Sequence, residues 1–303
     1  MRSLVVFRRL AVSAAVLASA PASADSLTDF LGPREIALGE AMRGSAIGQV
    51  GAELNPGGIP LNREVVFEGG YGYRSTDKAS LVGVSACDST GGIPGCFYYD
   101  YAGASPALNG DVTSEHSTHV AGMSLSHVLV PRILIGSTIK YYHFSSDLGE
   151  PDASGFAADF GATIRLANMI NLGVSGQNLW TTHDSPEFPR ALGGGLFARP
   201  FQSLSLGFDM KWNLDGADQK ARYGGGAEFM LPLGDGQQGL PLRGGVLHDN
   251  GLDATYISGG LGYTTMTWGI DVGARHQIKG GDDNQIIASI RVYGPRFPAP
   301  PIE

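Results

Sequence analysis

From about residue 63 to Tyr293 the chain repeats one unit, roughly ten residues alternating apolar with small or polar and then a turn of Gly, Asp or Pro. The clearest copy is Leu204-Ser205-Leu206-Gly207-Phe208-Asp209-Met210-Lys211-Trp212-Asn213, where even positions are apolar and odd positions small, polar or charged. In a strand those two sets point in opposite directions. Asp209 and Lys211 are intolerable facing lipid and ordinary facing a wet lumen, so the even side is the membrane side. An all-β transmembrane antiparallel barrel is the architecture this pattern fits.

Alternation and turn signals place strands at 63–75, 79–87, 95–104, 116–129, 132–145, 154–167, 170–182, 190–199, 202–214, 220–231, 240–248, 254–264, 266–277 and 284–293. The count is fourteen, even as single-chain bacterial barrels require. Tight connectors such as Asn168-Met169, Pro200-Phe201 and Thr264-Thr265 alternate with longer acidic ones at 146–153, 183–189, 249–253 and 279–283. Short turns belong to the periplasm and long loops to the outside, so both termini are expected in the periplasm.

The ends fit export. Residues 1–24 read as a signal peptide, with Arg2, Arg8 and Arg9 before a short apolar stretch and Ala22-Ser23-Ala24 as the cleavage site. That apolar stretch ends at Pro21, too short to span as a helix. Removing the leader leaves 18 of 21 basic residues against 29 acidic ones, which argues against a nucleic-acid partner. The expected location is the bacterial outer membrane, with cleavage after Ala24, and lipid and lipopolysaccharide as surroundings. The domain reading is 1–24 leader, 25–62 N-terminal plug segment, 63–293 barrel and 294–303 periplasmic tail. A disordered leader is the alternative for 25–62. The very high glycine content, 45 residues, lies within alternating runs and fits crowded barrel walls and tight turns.

Register puts Lys140, Asp159, Arg165, Asp209, Lys211, Arg222, Glu228, Arg243, Asp271, Arg275 and Arg291 on the lumen face. Both signs occur, which predicts ion pairs across the interior and not a single-sign selectivity lining. The alternative is plain structural packing. Phe156, Phe160, Ile164, Trp180, Phe208, Trp212, Phe229, Tyr263, Trp268 and Ile270 fall on the lipid face. Cys87 and Cys96, the only cysteines, flank a turn in an exported chain, and a disulfide closing it is expected.

Before the first strand the chain reads Ala37-Leu38-Gly39-Glu40-Ala41-Met42-Arg43-Gly44-Ser45-Ala46, then Ala52-Glu53-Leu54-Asn55-Pro56-Gly57-Gly58-Ile59-Pro60-Leu61. Later comes Asn171-Leu172-Gly173-Val174-Ser175-Gly176-Gln177-Asn178-Leu179. These stretches resemble the FadL-type family of hydrophobic-compound transporters and its PorV-like relatives. Gly57 stands where that family has Ala, and Pro60 follows Ile59 where it commonly has Leu-Ala. The resemblance implies a fourteen-stranded barrel with an N-terminal plug and a hydrophobic small-molecule ligand released through a wall opening at a kinked third strand. The Pro94-Gly95 start of the third strand is compatible with such a distortion. On the PorV-like alternative the barrel binds a secretion-system protein partner instead. Asn55, Pro56, Gly57 and Gly58 are expected to form the hinge where the plug turns into the first strand, with ligand gating by Asn55 as the functional alternative.

Catalytic signals are weak. His116 and His119 lie three apart on a strand and face opposite sides, so they cannot chelate one metal together. His183-Asp184-Ser185 are neighbours in sequence, whereas a triad needs spatial geometry. Oxygen-rich stretches at 280–284 and 234–236 are explained by turn formation before Ca²⁺ binding. The expectation is a non-enzyme without metal or cofactor.

Overall fold

The computed structural model describes residues 31–105, 107–109, 112–147, 152–183, 188–215 and 221–297. The signal-peptide reading and residues 298–303 lie outside the described residues. Fourteen strands make up the wall. They are β1 (Arg63–Arg74), β2 (Ala79–Asp88), β3 (Gly95–Ala104), β4 (His116–Val130), β5 (Ile133–Ser146), β6 (Ala153–Ala167), β7 (Ile170–Thr181), β8 (Ala191–Phe201), β9 (Leu204–Asn213), β10 (Ala221–Leu233), β11 (Gln238–Asp249), β12 (Ala254–Thr264), β13 (Trp268–Lys279) and β14 (Asn284–Phe297). Each pairs antiparallel with its sequence neighbours, and β1 pairs with β14, so the sheet closes into a barrel without a free edge. The last strand runs to Phe297, so residues 294–297 belong to the wall and not to a tail.

The alternation becomes two faces. In β9, Ser205 and Asp209 are buried inside, while Leu206, Phe208 and Trp212 are exposed on the outer surface. Phe156, Phe160, Trp180, Phe229, Trp268 and Ile270 share that exposed outer face, as a membrane-spanning barrel requires.

Residues 31–62 lie within the barrel. Helix α1 (Pro33–Ala37) packs on β11 to β14, the turn Arg43–Ser45 on β7 and β8, helix α2 (Gly48–Leu54) on β2, β3 and β4, and the 3₁₀ segment Pro56–Leu61 on β4 to β7. A segment that touches the wall on opposite sides can only be inside it. Leu31, Ile36, Leu38, Met42 and Leu54 join Leu81, Tyr142, Phe144 and Ile287 from the wall in one buried apolar cluster. The wall glycines explain how the fit is possible. A Cβ on Gly207, Gly224, Gly245 or Gly273, on four different strands, would collide with the inner segment's backbone at Ala41, Gly39, Leu38–Gly39 and Pro33. Much of the glycine content is therefore room for a second chain layer.

Two local expectations are corrected. β3 keeps an unbroken register with both β2 and β4, so the third strand is regular. The ladder breaks elsewhere, between β6 and β7: Ala158 pairs with Trp180 and Phe160 with Gly176, leaving Gln177, Asn178 and Leu179 bulged opposite Asp159. Asn178 takes the left-handed conformation at φ 53°, one of the few side-chain types that does so readily. The hinge also moves. Asn55 starts the 3₁₀ segment and the chain bends into β1 only at Asn62, six residues on from Pro56. Gly57 and Gly58 serve close packing in place of bending, since a Cβ on Gly57 would lie 2.7 Å from Ala162 Cα.

Candidate functional site

The interior is an ionic layer shared by wall and inner segment. Asp209 on β9 accepts from the backbone N–H groups of Met42 (3.1 Å) and Arg43 (2.9 Å), and from the Arg43 guanidinium at 3.2 Å. That guanidinium also donates to Ser175 Oγ and Gln177 Oε1, both at 3.2 Å. Arg34 donates twice to Glu228 at 2.9 Å, and Glu228 accepts again from Arg243 at 2.7 Å. Arg243 and Arg291 both pair with Asp271. Glu40 joins Arg222 (3.2 Å) and Arg275 (3.0 Å), and Arg222 also holds Asp249 at 2.9 Å. Burying this many charges is tolerable only because each is matched.

Of the sequence-predicted residues, Asp209, Arg222, Glu228, Arg243, Asp271, Arg275 and Arg291 meet in this layer. Lys140 and Asp159 form a separate pair at 2.7 Å, and Asp159 also accepts from the Asn178 backbone N–H at 2.6 Å, capping the wall bulge. Arg165 lies apart, at the barrel end, donating to the Pro131 carbonyl at 3.2 Å. The pairs tie the wall to the inner segment, join neighbouring strands or, for Arg243 on β11 and Asp271 on β13, pass over one strand, and do not reach across an open lumen. Sequence reasoning missed the inner half of the layer, Arg34, Glu40 and Arg43. It also missed Asp100, which the β3 alternation with Tyr98 would have placed inward.

Asn55 is fully buried. Its Nδ2 donates to the carbonyls of Arg43 (2.9 Å) and Ala162 (3.2 Å) and to Thr163 Oγ1 (3.0 Å), while its Oδ1 accepts from Gly57 N–H at 3.2 Å. It therefore fastens two parts of the inner segment to β6. Ser126 and Thr138 add bonds to the carbonyls of Pro56 (2.6 Å) and Ala52 (2.8 Å). Cys87 and Cys96 are joined across directly paired positions of β2 and β3, buried against Ala52, Ile59 and Tyr98.

Between the inner segment and the β7–β8 connection lies a cavity of about 70 Å³. Leu31, Leu54, Tyr98, Val120 and Phe188 give it an apolar side, with Phe188 stacked on Tyr142 at a ring separation of 4.0 Å. Its other side carries Glu53, Asp100, Thr118, Lys140, Gln177, Asn178 and Lys211. Gln49 Nε2 donates to both Glu53 Oε1 (2.6 Å) and Asp100 Oδ1 (3.0 Å), drawing the two carboxyls together. Burial, and after it the Asp100 charge, holds the Glu53 carboxyl well above its ordinary 4.5.

No protein-family model and no curated protein matches the chain. Solved structures do. A monoaromatic hydrocarbon channel, CymD, aligns with a TM-score of 0.71 at 14% identity, over 88% of this chain and 97% of that one. The P. putida toluene transporter TodX aligns at 0.67 and 12% identity, over 88% and 98%. A Pseudomonas aeruginosa FadL homologue aligns at 0.57 and 11% identity, over 86% and 97%. At such identities the likeness is one of architecture, and the chain has the closed fourteen-stranded fold of the FadL-type outer-membrane channels.

Proposed function

We propose that the protein is a non-catalytic outer-membrane barrel for passive uptake of hydrophobic or amphipathic small molecules, with residues 31–62 as its lumen plug. The observation that carries this is the pairing of a closed wall with an occupied interior. An inner segment that touches the wall on every side fits a plug against free aqueous flow, and a part-apolar cavity remains between it and the β7–β8 connection. The printed names of the similar structures, hydrocarbon channels and a toluene transporter, point the same way. The apolar outer face fits a lipid and lipopolysaccharide surrounding. The PorV-like, protein-binding alternative gains nothing from the site or from these likenesses.

Proteoliposomes holding the full-length protein test the reading. Toluene should equilibrate faster than in protein-free vesicles, and a polar solute such as glucose should not. Equal rates for toluene with and without protein would end the proposal.

A further inference from the structure

On β4 the spacing of His116 and His119 keeps them on opposite faces, but the wall gives His119 another neighbour. His119 pairs directly across from His143 on β5, and Tyr101 on β3 pairs directly across from His119 on the other side. Thr118, Tyr142 and Phe144, chain neighbours of the two histidines, are buried inside, so alternation puts both imidazoles on the outer face. Both are half-buried there. Their ring centroids stand 6.1 Å apart. Imidazole nitrogens bind zinc at about 2.0–2.1 Å and the ring centre lies about 1.1 Å behind each nitrogen, so two rings sharing one ion have centroids within about 6.5 Å. The pair is inside that limit on backbone positions fixed by the ladder, and only side-chain rotation is needed to close on an ion. Tyr99 Oη lies 2.8 Å from His119 Nδ1. With the proton on Nδ1 the ring donates to this phenol and keeps its Nε2 lone pair for a ligand, the arrangement that orients metal-bound imidazoles. Among the described residues no hydrogen bond engages His143, whose ring contact is with His119. The two histidines lie three residues from the strand ends at His116 and Ser146, about 10 Å along the strand. That depth is the border of the apolar band, about 25 Å tall, where ions in water reach the wall.

We propose that His119 and His143 form a binding site for one late first-row divalent ion, such as Zn²⁺ or Cu²⁺, on the outer wall near the rim that carries the β3–β4 and β5–β6 connections. Imidazole suits these ions, whereas Mg²⁺ and Ca²⁺ take oxygen donors. The two nitrogens supply two positions, and water fills the others. Tyr99 is a positioning residue that sets the His119 tautomer. The ion joins β4 to β5 and stabilises the wall by mass action, since the unfolded chain does not hold the two rings together. The site faces away from the interior, so it does not rest on the uptake reading.

Calorimetric titration of Cu²⁺ and Zn²⁺ into the detergent-solubilised full-length protein, without a polyhistidine tag, tests this. One ion per chain should bind, Cu²⁺ tighter than Zn²⁺, and excess Mg²⁺ should not compete. Loss of a residue that orients a metal ligand costs about 10–100-fold in affinity, so Tyr99→Phe should weaken binding about tenfold, and His119→Ala or His143→Ala by more. His127→Ala, which removes an exposed imidazole elsewhere on β4, should change nothing. Heat-modifiable migration of each variant shows whether its barrel is intact. Electron paramagnetic resonance of the wild type with one equivalent of Cu²⁺ needs no variant: splitting from two nitrogens supports the site, and splitting from one overturns it. No binding of either ion, or binding that survives His119→Ala and His143→Ala at full strength, also overturns the inference. Unchanged binding in Tyr99→Phe overturns the positioning role alone.

Discussion

Arg43 and Asp209, 166 positions apart, are joined twice: one Asp209 carboxylate oxygen takes the Arg43 guanidinium at 3.2 Å and the Arg43 backbone N–H at 2.9 Å, and the same oxygen accepts from the Met42 backbone N–H at 3.1 Å. Both residues are almost fully buried. The contact fixes the middle of the inner segment to β9, because the backbone bonds hold its path as well as its side chain. Replacing Arg43 by Met leaves a buried carboxylate with two neutral donors, and should destabilise by about 3–5 kcal/mol. Adding Asp209→Asn should recover part of that loss. The midpoint temperature of heat-modifiable gel migration for the two single variants and the double variant gives the coupling, and additive losses would contradict the pairing.

Asn55→Ala should release the inner segment without opening the wall. It removes bonds to Arg43, Ala162, Thr163 and Gly57, a loss of about 2–4 kcal/mol for a fully buried amide with several partners. Hydrogen exchange across residues 43–61 should rise while exchange in β6 stays slow. Unchanged protection in that stretch would show that Asn55 does not anchor it.

Glycine substitutions should separate by position. Gly57→Ala places a methyl 2.7 Å from Ala162 Cα and should cost about 1–3 kcal/mol of overpacking strain. Gly91→Ala, in the β2–β3 connection, meets no atom within 4 Å and should be silent. Thermal midpoints of both variants beside the parent settle the comparison.

Attachment of helix α2 should weaken as pH rises. The Glu53 carboxyl is raised by burial and by Asp100, with Glu35 adding to it and Gln49 opposing. The folded state therefore holds its proton when the unfolded segment has already lost it. The contribution is complete below the unfolded value near 4.5 and is lost as pH climbs from there toward the raised folded value. The protection of residues 48–54, corrected for the intrinsic pH dependence of amide exchange, should fall as pH rises above the unfolded value, and Glu53→Gln should flatten that dependence.

The disulfide should be a stability element. Two hydrogens fewer in the intact mass without reductant is the expected signature, and replacing both Cys87 and Cys96 by Ser should cost about 2–3 kcal/mol for so short a loop. A titre of two free thiols in the unreduced protein would contradict it.

What the sequence alone determined is the wall. Strand period is two, so residues such as Phe208 and Asp209 declare opposite faces from local pattern, and turn residues mark each end. The count of fourteen, the outward aromatics and the Cys87–Cys96 bridge are all local or nearly local in origin. What tertiary structure decided is the filling. Which acidic residue meets Arg43, why Gly207 and Gly224 lack side chains, and that Asn55 fastens onto β6 depend on contacts more than 100 positions apart, where no short-range period carries the information. The wall bulge, although its partners stand only 19 positions apart, was also decided by tertiary structure. Asn178 lies inside an alternating run that reads as a regular strand, and the Asp159 carboxylate, brought opposite it by the pairing of β6 with β7, accepts its backbone N–H and caps the left-handed turn.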